Sequence, residues 1–420
     1  CVKTLNPKAI SIAGGSAIRA LPEFASAFFD EVCTGDIEML RDAIRASVGR
    51  EYISATLNPR FDLAGWVRNS RFGYAESSRN CNFRCTFCTM TAENRPFQKL
   101  PLESLREEIV SQGRKDVLIF LDNNFYGNDR AFFTARMDLL KELHAEGWFK
   151  GWAALVTNDF FARDENLRLA RESGCVALFS GIESFDMDWL RSQGKKQNTV
   201  LPQLELIQRC MSHNIVFLYG MMQDVSTRPL QNLRDELEFI LSQPAITLPS
   251  YISIPIPILN TPLFHTAVRE GRMLPHVKLR DMDSTTLTMH THDSLDATAN
   301  YVRQLQSLEG LRGAAFSHTL GFLRHHGMKL SWRQLLIGLS NPVMLCAGNI
   351  VSTLSLIASR QARTHISTTE RLDPCYTPPF PIDARWAHYY QPTCVTDERA
   401  ALTEEMQELS DSTPQRTIAA

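Results

Sequence analysis

Tyr74-Ala-Glu-Ser-Ser-Arg-Asn-Cys81-Asn-Phe-Arg-Cys85-Thr-Phe87-Cys88-Thr-Met90 decides how the rest of the chain is read. Three cysteines stand here at a C-x3-C-x2-C spacing, directly after a strand-like run. A four-iron cube held by three thiolates keeps one iron without a protein ligand. An open iron can bind substrate. A zinc knuckle usually pairs one C-x2-C with a second, and a chance grouping among the ten cysteines is the other alternative.

The 420 residues are enough for two or three domains with a sizeable core, and 44% hydrophobic with 21% charged content is ordinary for a globular chain. A formal net charge of −2 supplies no basic field, so no nucleic-acid partner is expected. The remaining cysteines are scattered and no secretory signal stands at the start, which points to a reducing cytoplasm and away from a disulfide framework.

After the cysteine loop, apolar runs alternate with amphipathic stretches, the pattern of parallel βα units. The predicted strands are 74–77, 117–121, 152–156, 176–180, 216–221 and 251–254, with helices near 102–112, 130–146, 164–173, 199–212 and 230–242. In barrels of such units chemistry collects at the C-terminal strand ends. Three polar strand-end segments follow: Asp122-Asn123-Asn124-Phe125-Tyr126-Gly127, Gly181-Ile182-Glu183-Ser184, and the basic turn Gly194-Lys195-Lys196-Gln197-Asn198. Each also has a bland reading: an Asn/Gly turn, an ion-pair carboxylate at a barrel mouth, and a solvated basic turn. Pro255 and Pro257 remove backbone donors and end the sheet, turning the chain over the mouth.

Upstream, Lys8 to Gly15 reads as a strand ending in the pair Gly14-Gly15, a helical run reaches Phe29, Asp30 to Asp36 is a second strand and turn, and Ile37 to Ser47 a helix. This is a βαβα fragment of a doubly wound sheet, in which ligands lie beyond the carboxyl ends of strands. Residues 50–72 connect it to the barrel, with Trp66 and Phe72 expected to pack between the two.

The cysteine loop, with Phe87 just before the last cysteine, resembles the cluster loop of the radical S-adenosylmethionine (SAM) superfamily. The N-terminal order of strand, glycine pair, Leu-Pro-Glu, helix, Asp-x-Val and Gly-Asp is similar to the last third of the cobalamin-binding domain found in a methyltransferase-rich branch of that superfamily. The resemblance covers roughly residues 8–290. It implies an α/β fold: a partial (β/α)6 TIM-like barrel over 61–290, preceded by part of a Rossmann-like cobalamin-binding domain over 1–60 and followed by a mainly helical region over 291–420 with a disordered tail. The earlier strands of the cobalamin domain and any D-x-H-x-x-G segment are missing from the sequence, which reads as a fragment or as a shortened domain.

Carried onto this chain, the resemblance implies Cys81, Cys85 and Cys88 as ligands of a [4Fe–4S] cluster and Phe87 beside the adenine of SAM. Asp122, Asn123 and Asn124 match a D-D-N-F element at the methionine end of SAM. Glu183 matches the glutamate that bonds its amino group or ribose, and Gln197 falls in a K-x-Q-N signature. Gly14 and Gly15 would let the backbone approach the nucleotide tail of cobalamin, and the segment around Pro255 and Pro257 would lie near its lower face, with Leu259-Asn260 in place of the usual glycine. The implied activity is cobalamin-dependent methylation of an unactivated carbon in an apolar substrate, a tetrapyrrole or isoprenoid lipid, with an electron donor such as flavodoxin or ferredoxin. A radical cyclase or oxidase without methyl transfer, and a non-catalytic metal-binding protein, are the alternatives.

The C-terminal part carries His290-Thr-His292, a spacing seen in metal sites, then a basic and aromatic stretch from Phe316 to Trp332. From Gln334 to Ser359 no residue is charged. The 314–359 region is read as a buried helix, as a membrane-surface or lipid-docking element, or as a span, in that order, because Asn341-Pro342 and several hydroxyls dilute it.

Overall fold

The computed structural model describes residues 6–49, 59, 61, 63, 69–274, 277, 281–282, 287–307 and 312–340. Ile12–Ala13 (β1) pairs in parallel with Glu31–Val32 (β2), and between them lie two short helices, Ser16–Ala20 (α1) and Pro22–Ser26 (α2). A single helical run over this stretch is broken because Pro22 sits at the first helical position of α2, where its missing N–H costs nothing. A 3-10 turn at Ile37–Met39 leads into Leu40–Val48 (α3), which closes on Gly49 in the left-handed region. Phe72 is half exposed, against the expectation that it packs inward, and Trp66 lies outside the described residues.

The barrel follows. Its strands are Phe72–Ala75 (β3), Val117–Phe120 (β6), Trp152–Leu155 (β7), Cys175–Glu183 (β8), Val216–Met222 (β9) and Tyr251–Ser253 (β10), with the small antiparallel pair Ser78–Arg79 (β4) and Gln98–Lys99 (β5) inserted after β3. The six form one parallel sheet in the sequential order β3-β6-β7-β8-β9-β10, with β3 and β10 as its edges. Each step between neighbours is a helical crossover, so the strands all point the same way and their carboxyl ends share one mouth. The helices are Thr89–Glu93 (α4), Leu102–Ser111 (α5), Arg130–Ala145 (α6), Asp164–Glu172 (α7), Met187–Ser192 (α8), Gln203–Ser212 (α9), Leu230–Leu241 (α10), Pro262–Arg269 (α11), Leu295–Ser307 (α12) and Arg312–His326 (α13).

Local chemistry explains several boundaries. Asp129 caps α6 by accepting from Phe132 N–H at 3.0 Å, Asp186 caps α8, and Thr261 caps α11 ahead of Pro262. The helix expected from 199 begins instead at Gln203, because Pro202 ends a separate 3-10 turn at Lys196–Thr199. β8 is buried along nearly its whole length, as a central parallel strand covered on both faces must be. The main core gathers Trp152, Phe149, Phe125, Phe133, Phe160, Phe161 and Phe217, with Tyr126, Phe133 and Phe160 meeting edge-on at centroid distances of 5.5 to 5.6 Å.

The C-terminal helices close the opposite end. His318 and His326 on α13 bond the carbonyls of Gln243 and Ala245, which lie in the loop leading into β10. Burial holds both imidazoles below their usual range. The helix over 332–340 places Gln334 on the carbonyl of Asn214, just before β9, and Gly338 against Phe322. The described part of the 314–359 region therefore packs at the far end from the strand carboxyl ends. Phe316, Met328 and Trp332 remain exposed, and residues 341–420 lie outside the described part. Among the described residues no helix is long and apolar enough to cross a membrane.

Candidate functional site

The cysteine loop leaves β4 through Asn80, whose backbone is left-handed, and ends at α4, with Cys88 as the residue before the helix. All three cysteines are free thiols, with Cys85 buried and the other two half-buried. Burial, helped by the charges of the neighbouring Cys85 and Cys88, pushes the Cys81 thiol up to about 11. Cys88 is likewise raised, mainly by burial, while the N–H groups of Met90 and Thr91 and the charge of Lys195 draw it back. Gln197 Nε2 donates to Cys85 Sγ at 3.3 Å, and Phe83 N–H lies 3.5 Å from Cys81 Sγ. Each donor favours a thiolate, the state in which a cysteine holds metal.

β8 supplies the adjoining wall. Glu183, its last residue, is buried with φ +62°, a conformation that costs a non-glycine residue about 1–3 kcal/mol and persists only where its surroundings impose it. The register with β9 slips at this point, between Gly181 and Glu183. The slip folds the carboxylate back onto Lys195 Nζ, which also donates to the carbonyl of Gly181 at 2.9 Å. A side chain at position 181 would meet Glu183 Oε1 and Lys195 Nζ, so any larger residue there would have to displace the pair. Lys195 Nζ stands 5.6 Å above the ring of Phe87, and the Tyr251 phenol is pushed to about 12 by burial and by the charge of Glu183. Gln197 is thus set on Cys85, and Lys195 links Glu183 to Phe87 and to Cys88. Lys195, named above only as part of the basic turn, and Tyr251 join them with no individual role expected of either. The signal for Lys195 was its place two residues before Gln197; Tyr251 offered none beyond being the first residue of an apolar strand.

The β6 end is built differently. Asp122 is buried and accepts from Ser77 N–H at 3.0 Å, from the Ser77 hydroxyl at 2.7 Å and from the Ser78 hydroxyl. Arg136, on the buried face of α6, stands 3.7 Å from the same carboxylate with no exposure on either side chain. Its guanidinium donates to Ser77 Oγ at 2.8 Å and to the Phe125 carbonyl, and burial lowers its pKa to about 10. Three protein hydrogen bonds and a buried cation thus converge on Asp122. Asn124 is also fully buried: its amide donates to Asn82 Oδ1 at 2.7 Å, while its oxygen accepts from Tyr126 N–H, Gly127 N–H and the Thr157 hydroxyl. Asn123 alone of the three is exposed, its Oδ1 receiving the Asn80 N–H at 3.2 Å.

Gly14 and Gly15 lie at the end of β1 and line a cavity of about 410 Å³ with Arg19, Cys33, Gly35, Asp36 and Ile44. Gly15 has φ +99° and would meet nothing within 4 Å if it carried a Cβ, so its conformation is what calls for glycine. Asn260 reaches across to the carbonyl of Ala20 at 2.9 Å, and Leu21 packs on the cluster of Leu259, Phe264, Leu274 and Val277. The start of α11 meets the cysteine loop through Leu263 N–H on the Thr86 carbonyl at 2.9 Å. His292 pairs with Asp293 at 3.4 Å, and among the described residues no three His, Cys, Asp or Glu groups converge on a single ion position.

Residues 76–234 match the sequence model of the radical SAM superfamily. That segment is a radical SAM domain. Such a domain implies a [4Fe–4S] cluster and SAM, and the donor set fits. Cys81, Cys85 and Cys88 lie near enough for their charges to act on one another, and three thiolates would hold a four-iron cluster with one iron left open. Gln197 Oε1 and Asn198 Oδ1 are buried acceptors with no hydrogen-bond partner among the described residues, which a bound donor group can satisfy. The chain is 24% identical to the hopanoid C-2 methylase of Rhodopseudomonas palustris over 62% of its own length and 53% of that protein's. It is 26% identical to the bacteriochlorophyllide d C-12(1)-methyltransferase of Chlorobaculum tepidum, over 61% and 59% respectively. The chain thus spans little more than half the length of these curated relatives. Among solved structures, the radical SAM methyltransferase TsrM from Kitasatospora setae, with cobalamin and a [4Fe–4S] cluster bound, aligns with a TM-score of 0.56 at 13% identity, over 84% of this chain and 83% of that one. The cobalamin-dependent SAM radical enzyme OxsB aligns at 0.54 and 16% identity, over 84% and 69%. At these identities the likeness is one of fold.

Proposed function

We propose that this chain is the catalytic part of a cobalamin-dependent radical SAM C-methyltransferase acting on an unactivated carbon of an apolar substrate, of the tetrapyrrole or isoprenoid-lipid class. The observation that carries the reading is the adjacency of three elements: the cysteine trio, the Glu183–Lys195 pair beside Phe87, and the glycine-lined cavity held against the cysteine loop. The names of the two curated relatives, a hopanoid methylase and a bacteriochlorophyllide methyltransferase, support the substrate class.

Bound here, the cluster supplies the electron that cleaves SAM and cobalamin supplies the methyl group to be transferred. Cys81, Cys85 and Cys88 would hold the cluster and leave one iron open. Gln197 and Lys195 stabilise negative charge on the sulfurs of Cys85 and Cys88 respectively. Glu183, fixed by Lys195 and by a strained backbone, presents a carboxylate at a set position for an ammonium or ribose hydroxyl. Phe87 and the Leu263, Ala267 and Met289 cluster it packs on form an apolar wall that excludes water from a reactive carbon radical. Gly14, Gly15 and Gly35 leave room for the nucleotide end of cobalamin in the 410 Å³ cavity.

The test is to produce the chain with cobalamin supplied, purify it without oxygen, reconstitute the cluster and supply SAM, a reductant and hopanoid or chlorophyllide acceptors. About four irons and one cobalamin per chain are expected, with 5′-deoxyadenosine and S-adenosylhomocysteine formed together. 5′-Deoxyadenosine alone would favour a cyclase or oxidase, and a colourless zinc protein would overturn the radical chemistry.

A further inference from the structure

The cavity and the cysteine loop share a residue. Asp36 lines the cavity, and its two oxygens take Arg95 Nη1 and Nη2 at 2.6 and 2.5 Å in a bidentate pair. Arg79 approaches the same carboxylate at 3.6 Å and Arg19 at 3.7 Å. The hydrogen bond from Arg95 is the largest cause holding the Asp36 carboxyl below its usual range.

Each arginine leads on to the metal-binding loop. Arg79, two residues before Cys81, grips both oxygens of Glu38 at 2.8 Å and Glu76 at 2.7 Å. Arg19, also a cavity residue, bonds Glu93 at the end of α4 at 2.5 Å. The Arg95 carbonyl accepts from Arg84 Nη2 at 3.2 Å, and Arg84 Nη1 in turn holds the carbonyl of Cys81 at 2.9 Å. Asn80 Nδ2 bonds the Pro96 carbonyl at 3.0 Å beside it. A continuous chain of polar contacts thus runs from the cavity wall through Asp36, Arg95 and Arg84 to the first cysteine.

Resting on the cobalamin and cluster reading above, we propose that Asp36 is a positioning residue that couples occupancy of the N-terminal cavity to the geometry of the cysteine loop. A ligand in the cavity fixes the carboxylate, the carboxylate fixes the arginines, and the arginines fix the loop that carries the cluster. The second ligand to arrive finds the network already ordered and forfeits less conformational entropy. Such coupling is reciprocal, and couplings of this kind are typically about 5- to 150-fold.

The experiment is a titration of the whole chain with hydroxocobalamin in four states: cluster-free and cluster-reconstituted, each in wild type and Asp36→Asn. In wild type, reconstitution should tighten cobalamin binding at least about fivefold, and cobalamin should in turn alter the electron paramagnetic resonance (EPR) signal of the reduced cluster. In Asp36→Asn the two affinities should converge, at wild-type iron content. Should that variant lose iron, Arg95→Lys serves instead: it keeps the charge and loses the bidentate grip, and its affinity ratio must fall below wild type. A wild-type ratio of one, or a ratio unchanged in the variants, overturns the coupling alone. A chain that binds no cobalamin in any state overturns the coupling and the cobalamin half of the proposed function together.

Discussion

Two carboxylates close two strands of the same sheet, and their surroundings differ. At the β6 end, Asp122 accepts three protein hydrogen bonds and faces a fully buried guanidinium, so most of its capacity is spent on the protein. At the β8 end, Glu183 has one cationic partner, a strained backbone, and neighbours in Phe87, Tyr251 and the cysteine loop. For the same kind of residue at the same kind of position, we propose a mainly bracing role in the first case and a ligand role in the second. The hydrogen-bond inventory around a strand-end acid, more than its presence in a motif, separates the two roles.

The difference is open to direct challenge. Asp122→Ala strips the counter-charge from buried Arg136 and should cost about 3–5 kcal/mol in chemical denaturation; a cost below about 1 kcal/mol would show that the β6 end is not the brace described. Glu108 belongs to the same side, receiving the Glu76 N–H at 3.4 Å, and burial, with the charges of Glu76 and Asp122, raises its carboxyl to about 7 from an ordinary 4.5. The folded state then keeps a proton that the unfolded chain releases. The contribution of Glu108 is fully present below 4.5 and is lost as pH rises through about 7, by about 2 kcal/mol after allowing for partial exposure. In Glu108→Gln this loss across the window should vanish, as urea midpoints at pH 5 and pH 8 would show.

The smallest effect is expected at the other end. Glu183→Gln should leave the cluster in place and weaken SAM binding about tenfold, or about 1.4 kcal/mol, measured by equilibrium dialysis on reconstituted protein. If Asp122→Asn weakened SAM as much while leaving stability intact, the assignment of the two roles would be reversed.

Much of this was legible in the residues themselves. The spacing of Cys81, Cys85 and Cys88 is local, and so is the alternation that places six strands within two or three residues of where they lie, because burial of a parallel strand writes a continuous apolar run. What escaped was long-range pairing. Asp122 reads as an isolated strand-end acid until Arg136 is seen beside it. Arg136 does leave a trace: it falls among Phe133, Met137, Leu140 and Leu143 on the buried face of α6, where a cation implies a buried partner. The links from Asp36 to Arg79 and Arg95 span more than forty positions and carry no periodicity. The Tyr251 phenol near Glu183 is equally silent, since β10 reads as an ordinary apolar strand.

The measurement that bears most directly on the central claim is the EPR spectrum of the reduced, reconstituted chain with and without SAM. An open iron that chelates SAM predicts a [4Fe–4S] signal that changes when SAM is added, and that disappears with the iron in Cys85→Ser. A signal indifferent to SAM, or a chain that takes up zinc and stays colourless, would contradict it.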